Sequence, residues 1–345
     1  MTEQGGSARP RAGRAPSMAD VAALAGVSHQ TVSRVLNDSP QVKGATRERV
    51  VAAIAELGYR RNGAARSLAM NRSRRIGMVA AHLGFYGPSM IASSMQDAAH
   101  AAGYELALVG LSEPTSASLR AAVDRLLEQM VEVIVVAAAH ESVVAAARDL
   151  DLPVRLVLTQ GVGPEEDHAV GIDQEQGGYA ATAHLLDLGH PQVAHVSGPL
   201  RWVEAAQRRE GWLRAHAERG KEPGLEIEGD WTPPSGHAAG QRIGSDPSVS
   251  AVFAANDGMA LGVLTGLHEA GRSVPDDVSV VGFDDIPEAA YFWPPLTTVR
   301  QDFASLGARA VAKALDALEG TGAAPSSLTV PALVERRSTA APRRA

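Results

Sequence analysis

The chain has 345 residues, 45% of them hydrophobic and 21% charged, enough to bury a core in two domains or in one domain with a small module. It has no cysteine, which excludes disulfides, thiolate zinc sites and cysteine nucleophiles. The formal charge of −7 is unevenly spread: residues 1–75 carry 13 Lys+Arg against 5 Asp+Glu, and the remainder 19 against 34. A small basic module on a large acidic body points to a polyanionic partner for the module.

Residues 1–16, "MTEQGGSARPRAGRAP", hold arginines but no apolar core of the kind a signal peptide needs, and read as a disordered basic tail. Apolar runs such as Val133–Ala139 are far too short to span a bilayer, so the expectation is a cytoplasmic protein without a membrane partner.

Residues 17–60 carry three short helical patterns. In "SMADVAALAG", Ser17 and Asp20 form a capping-box pattern, Val21, Leu24 and Ala25 share one face, and Gly26 suits the end. Only Val27 separates this helix from Ser28, which can cap "HQTVSRVL". Two capped helices joined so tightly make a helix-turn-helix, and "ATRERVVAAIAELGY" closes a miniature core with Val50, Ile54 and Leu57. In that motif the second helix enters the DNA major groove. Gln30 can pair with adenine and Arg34 with guanine, while His29 can donate or accept. Ser28, Thr31, Ser33, Asn37 and Arg47 complete the expected DNA-facing set, with Thr31, Ser33 and Arg47 suited to phosphates.

Past residue 74 the pattern changes. Apolar strands ("RIGMVAA", "YELALVG", "EVIVVAAA", "PVRLVLT", "AVGID", "QVAHVSG", "SAVFAAND", "VSVVGFDD") alternate with helical stretches such as 92–102, 118–130 and 175–188. This predicts parallel α/β sheets, too many units for one small sheet, with a ligand outside the strand C-termini. Polar residues cluster at those ends: Asn256 and Asp257, Asp284 and Asp285, Gln301 and Asp302. Amides and carboxylates there suit sugar hydroxyls. Asp257 and Asp285 also read as helix-cap and turn residues, and Trp231 as plain core.

The stretch "MADVAALAGVSHQTVSRVLN…TRERVVAAIAELGYRRNGAARSLA" resembles the headpiece of the LacI/GalR family of bacterial repressors, and the likeness runs along almost the whole chain. It implies an N-terminal all-α helix-turn-helix headpiece plus an α/β two-lobed periplasmic-binding-protein-like body, with a hinge and linker at 61–74 and an effector-binding and dimerisation domain at 75–340. One lobe would comprise about 75–172 plus 303–329, the other about 173–302 plus the final strand. In the hinge, Leu68 holds the place of a minor-groove wedge and Asn62 joins the DNA contacts. Arg61 stands where the family usually has Pro, Gly63 lowers helix propensity, and Lys43 replaces a usual Ser cap.

For the effector site, the resemblance implies a hydroxyl-binding Arg208, a stacking Trp231, further contacts at Asn256, Asp284 and Gln301, and an apolar wall of Phe85, Pro88 and Ile91. Ala81 and Ala137 stand where it would place Ser and Asn, and a further Asp position falls on Leu158 or Gln160. The expected function is a sugar-responsive regulator, released from a pseudo-palindromic operator by a glycoside or sugar, a galactoside being the first guess. A purine-responsive member of the family is the alternative, and a sugar enzyme with a DNA-binding headpiece a more distant one. Against an enzyme, there is no Walker-type phosphate loop and no zinc-spaced His pair. No cofactor or metal is expected. The partners are double-stranded operator DNA, the effector and a second copy of the chain, paired near Ile91–Ala102. After Val334 there is no Leu, Ile or Val to build a heptad seam, so the expected assembly is a dimer.

Overall fold

The computed structural model describes residues 15–59, 72–159, 169–320 and 327–343. The chain divides into two compact units, 1–72 and 73–345.

In the first unit, α1 (Met18–Ala25), α2 (His29–Leu36) and α3 (Gly44–Leu57) are all set by local chemistry. Ser17 and Asp20 complete the capping box: the Ser17 amide donates to Asp20 Oδ2 at 2.8 Å, and the Asp20 amide donates back to Ser17 Oγ. Gly26 adopts φ +63°, a conformation costly for residues with a Cβ, and the chain reverses into α2. Ser28 Oγ accepts from the Thr31 amide at 3.2 Å and starts α2. Lys43 at the head of α3 supplies no side-chain cap, so that helix is held by packing. Val21, Val32 and Val50 are fully buried against one another's helices, each such side chain stabilising the fold by about 1.5–3 kcal/mol.

The second unit holds two six-stranded sheets. The first has the order β11-β5-β4-β3-β1-β2, all parallel: β1 Arg75–Ala81, β2 Glu105–Leu111, β3 Val133–Ala137, β4 Arg155–Thr159, β5 Ala169–Ile172 and β11 Ser327–Thr329. The second has the order β12-β10-β9-β8-β6-β7: β6 Ala194–Ser197, β7 Glu226–Glu228, β8 Ala251–Ala254, β9 Ser279–Asp284, β10 Thr297–Arg300 and β12 Ala332–Val334. Only the edge pair β10–β12 is antiparallel. The chain passes from one lobe to the other three times: after β5, after β10, and between β11 and β12.

Helices cover both faces of each sheet, so central strands such as β3 and β9 are wholly buried, β3 apolar throughout and β9 apolar between Ser279 and Asp284 at its ends. The helices are α4 (Tyr86–Ala101), α5 (Ser116–Glu128), α6 (Glu141–Arg148), α7 (Gln174–Asp187), α8 (Val203–Glu218), α9 (Pro233–Gly244), α10 (Asp257–Glu269) and α11 (Phe303–Glu319). α4 begins six residues earlier than its sequence pattern suggests, because Pro88 lies in its first turn, where a missing amide costs nothing. α11 comes late in the chain yet belongs to the first lobe, burying Phe303, Leu306 and Ala310 against α4 and the sheet.

α7 and α8 approach unusually closely. A Cβ on Gly178 would lie 2.2 Å from the Arg208 carbonyl oxygen, and one on Gly211 would lie 2.0 Å from that of Glu175. This contact fixes where α8 presents Arg208. Among the described residues, no helix is long and apolar enough to cross a membrane, and no His/Cys/Asp/Glu cluster could hold a metal ion.

Candidate functional site

Two surfaces carry the chemistry. On the first unit, His29, Gln30, Arg34 and Asn37 are exposed along α2, while Thr31 and Ser33 are half-buried. Ser28 is occupied as the cap, and its hydroxyl also meets Thr31 Oγ1 at 2.9 Å. Arg47 is engaged within the headpiece: its guanidinium donates to Asp38 Oδ1 at 2.9 Å and to the Ser39 carbonyl at 2.8 Å. It thereby ties α3 to the loop after α2. Asn62, Leu68, Arg61 and Gly63 lie outside the described residues, as do residues 1–14 of the basic tail.

On the body, the C-terminal ends of both sheets open onto one cavity enclosing about 680 Å³ of space, part of it open to solvent. The residues Phe85, Pro88, Ile91, Arg208, Trp231, Asn256, Asp284 and Gln301 all line it. The first lobe contributes an apolar wall, with Ala81 ending β1 and Ala137 ending β3, Phe85, Pro88 and Ile91 around the start of α4, and Phe303 heading α11. Leu158 is instead part of the core behind β1 and β3, and Gln160 lies outside the described residues.

The second lobe contributes a polar wall organised as a closed circuit. Arg208 Nε donates to Gln174 Oε1 at 2.9 Å, and Gln174 Nε2 donates to Gln301 Oε1 at 2.8 Å. Gln301 Nε2 donates to Asp284 Oδ1 at 2.7 Å, and Asp284 returns to Arg208 Nη2 at 3.8 Å. A further Arg208 nitrogen donates to the Ala255 carbonyl, and the guanidinium lies 3.8 Å over the Phe283 ring and 5.5 Å from that of Trp231. All four members of the circuit are buried. Burial pushes Asp284 up to about 6, against the pull of Arg208 and the Gln301 bond. Burial also lowers Arg208, opposed chiefly by Asp284.

Trp231 is half-buried, lining the cavity while packing against the second lobe's core. Its ring packs where a Cβ on Gly198 would come within 2.2 Å, and its carbonyl accepts from Asn256 Nδ2 at 3.0 Å. Asn256 also caps α10, its Oδ1 accepting from the Met259 amide at 2.7 Å. His82, Trp231 and Asp284 line the cavity with φ of +52°, +71° and +111°, a backbone strain of the kind that collects at functional sites.

The two adjacent aspartates separate cleanly. Asp285 turns from the cavity and is bound by Arg300 and Arg336, each at 2.6 Å. Asp257 neither caps α10 nor lines the cavity. It is buried behind the wall, accepting from Thr298 Oγ1 and the Ile286 amide, and burial raises it to about 8. No carboxylate dyad results.

Seven cavity-lining residues escape sequence reasoning, His82, Tyr86, Gly87, Ala139, Trp202, Glu204 and Phe303; of these, His82, Trp202 and Glu204 carry polar or aromatic chemistry into the space between the walls. Trp202 precedes α8 and meets His82 and His140 of the first lobe edge-on, at 5.0 and 5.3 Å between ring centroids. Around it the Val203 amide donates to the Ala139 carbonyl and Arg201 pairs with Glu141 at 2.7 Å. Glu204 was findable, since it precedes Arg208 by one helical turn and shares its face.

A capped helix-turn-helix joined to a two-lobed α/β body with a cavity at its strand ends defines a DNA-binding regulator built on a small-molecule-binding scaffold. Residues 17–62 match the bacterial regulatory proteins of the lacI family, and residues 182–339 a periplasmic binding protein-like domain. The chain is 34% identical over 327 residues to the lactose operon repressor of Escherichia coli (strain K12), covering 94% of this chain and 90% of that protein. It is equally 34% identical over 300 residues to the transcriptional repressor PurR of Pasteurella multocida (strain Pm70), covering 85% and 89%. Among solved structures, the lac repressor dimer bound to operator and the anti-inducer ONPF superimposes with a TM-score of 0.88 at 33% identity, covering 95% of this chain and 100% of that one. The chain belongs to the lacI family. It is a DNA-binding transcriptional regulator and not an enzyme.

Proposed function

We propose that the protein is a repressor whose hold on a pseudo-palindromic operator is released by a sugar or glycoside bound between the lobes. The observation that carries this reading is the cavity's division into an apolar, aromatic wall and a preorganised circuit of guanidinium, carboxylate and amides. A pyranose has the matching halves, a C–H face for Trp231 or Phe85 and hydroxyls for Arg208, Asp284 and Asn256. Binding shifts the equilibrium toward release only if the sugar is held more tightly by the released form.

A purine effector is the second reading, favoured by the similarity to PurR and by the same aromatic rings, which suit a flat base. A thermal-shift screen with monosaccharides, glycosides and purine bases separates the two, since a ligand at ~100 times its Kd adds about 2.7 kcal/mol. Operator gel shifts with each hit then give the sign of the response. Release by a sugar supports the proposal; tighter operator binding with a purine overturns it.

For DNA, Gln30 and Arg34 read bases while Ser28, His29, Thr31, Ser33, Asn37 and Arg47 orient the headpiece, Arg47 partly through its grip on Asp38. Leu68 and Asn62 of the hinge complete the contact with the operator centre. Two headpieces are needed for two half-sites, so the working unit is a homodimer. On α4 the outward residues are polar, Ser93, Gln96 and Asp97, whereas Tyr291 and Trp293 of the other lobe are 88% and 93% exposed. We propose that the pairing surface extends from the Ile91–Ala102 region to Tyr291 and Trp293, the most exposed aromatic residues described.

A further inference from the structure

Glu204 stands apart from the rest of the polar wall. Arg208, Gln174, Gln301 and Asp284 satisfy one another, and Asn256 is bonded at both ends of its amide. Glu204 also lines the cavity, yet its Oε2 is buried without a hydrogen-bond partner among the described residues. It is the one such atom among the cavity-lining side chains described. An unpartnered buried acceptor is costly, and a carboxyl rotates readily about its last bond, so either oxygen can turn to a ligand.

The surroundings decide which form of the carboxyl a ligand meets. Arg208 lies one turn along α8, and Asp284 at the end of β9 already takes its charge. His82 and Tyr86 stand on the opposite wall, and His140, Glu141 and Arg201 surround the neighbouring Trp202. Asp257 lies behind Asp284. One guanidinium thus serves two carboxyls in a site walled by Ala81, Ala139, Ile91 and Phe85. With Asp284 ionised, a second carboxylate would leave an uncompensated negative charge in a partly enclosed, largely apolar space. A neutral carboxylic acid avoids that cost, because it donates to and accepts from a single ligand hydroxyl or amide.

We propose that Glu204 is a specificity-determining residue of the cavity that meets an uncharged polar ligand as the protonated acid, so that ligand binding takes up a proton. This rests on the reading of the cavity as the effector site. Burial already lifts the free protein's Glu204 to about 7, against a hydrogen bond from its own backbone amide in the first turn of α8 and the pull of Arg208, with Asp284 pushing it up. A ligand that expels the remaining water raises it further. Between these two values the complex holds more protons than the free protein, so affinity is full below about pH 7 and falls as pH rises. Cationic, amine-bearing ligands reverse the sign, because they favour the carboxylate.

The test uses isothermal titration calorimetry on the full chain with methyl galactosides, methyl glucosides, hypoxanthine and guanine. Titrations run from about pH 6 to 8.5 in phosphate and in Tris, whose ionisation heats differ. One ionisable group allows Kd to weaken by at most about tenfold per pH unit. The expected result is uptake of up to about one proton, with that weakening above pH 7. E204Q, which keeps a neutral donor and acceptor, should bind at high pH with a flatter profile. Proton release, a flat wild-type profile, or identical profiles in wild type and E204Q overturn the proposal. The last outcome assigns the proton to Asp284 or a histidine. Proton-linked binding of a nucleobase alone keeps the role of Glu204 and overturns the sugar reading; failure of every uncharged ligand to bind overturns both.

Discussion

Helix α2 and the cavity present their polar side chains in opposite ways. Along α2, His29, Gln30 and Arg34 are exposed, carried on the surface of their helix. In the cavity, Arg208, Gln174, Gln301 and Asp284 are buried and hold one another before any ligand arrives. A wet surface can lose one member and keep the rest, since water replaces the missing partner. A buried circuit cannot, because each member's removal leaves another unpaired.

Arg208→Ala is the hardest test of this contrast. It leaves Asp284 buried without its cation, a loss of about 3–5 kcal/mol. The expected outcome is a destabilised body that no longer responds to effector, with operator binding kept by whatever stays folded. All four tryptophans, 202, 212, 231 and 293, lie in the body, so denaturant unfolding followed by tryptophan emission reads this unit. An unchanged midpoint would show that the circuit does not act as a unit. Asp284→Asn keeps the shape but removes the charge; effector affinity should fall by about 1.5–3 kcal/mol, measured by calorimetry. Its effect should be non-additive with Gln301→Ala, and additivity would break the comparison from the body's side.

The headpiece should behave in the other manner. Arg34→Ala is expected to cost about 1–3 kcal/mol of operator affinity and to relax preference at one base pair per half-site. Body unfolding should stay within ~0.5 kcal/mol of the parent. A loss spread evenly over all operator positions would mean that Arg34 meets phosphate instead. Smallest of all, Ser28→Ala removes the α2 cap and should cost the headpiece ~1 kcal/mol, seen as earlier loss of helical circular dichroism in an isolated 1–60 fragment if that fragment folds, or as faster amide exchange at Thr31 in the full chain.

Local signals made the headpiece legible. Ser17, Asp20, Gly26 and Ser28 each act within one helical turn of themselves, and each does what its sequence position suggests. Eight strands of the body were legible from their apolar runs, while β7, β11 and β12, three residues each, and the Thr-rich β10 carry too little pattern to stand out. At the cavity, the eight residues carried over from the family resemblance line a common space, although they come from helices and strand ends far apart in the chain. Sequence could not separate Asp284 from Asp285 or show Asp257 behind the wall, because those fates depend on Arg336, Arg300 and Thr298 arriving from distant segments. Nor could it join Trp202 to His82 and His140, which meet only when the two lobes come together.

The two alanines at the ends of β1 and β3 make the first lobe's wall a place for protein engineering. Neighbouring Ala80 and Ala137 are paired in register, and Ala81 and Ala137 put methyl groups toward the ligand space while their backbones stay locked in the sheet. Ala81 is only 1% exposed and both alanines pack in the lobe's core, so Ser, the smallest polar exchange, is the first to test there, and it leaves every residue of the Arg208 circuit unchanged. A library confined to those two positions would vary which ligand is preferred while leaving the switch itself alone, the separation a designer of transcriptional biosensors needs.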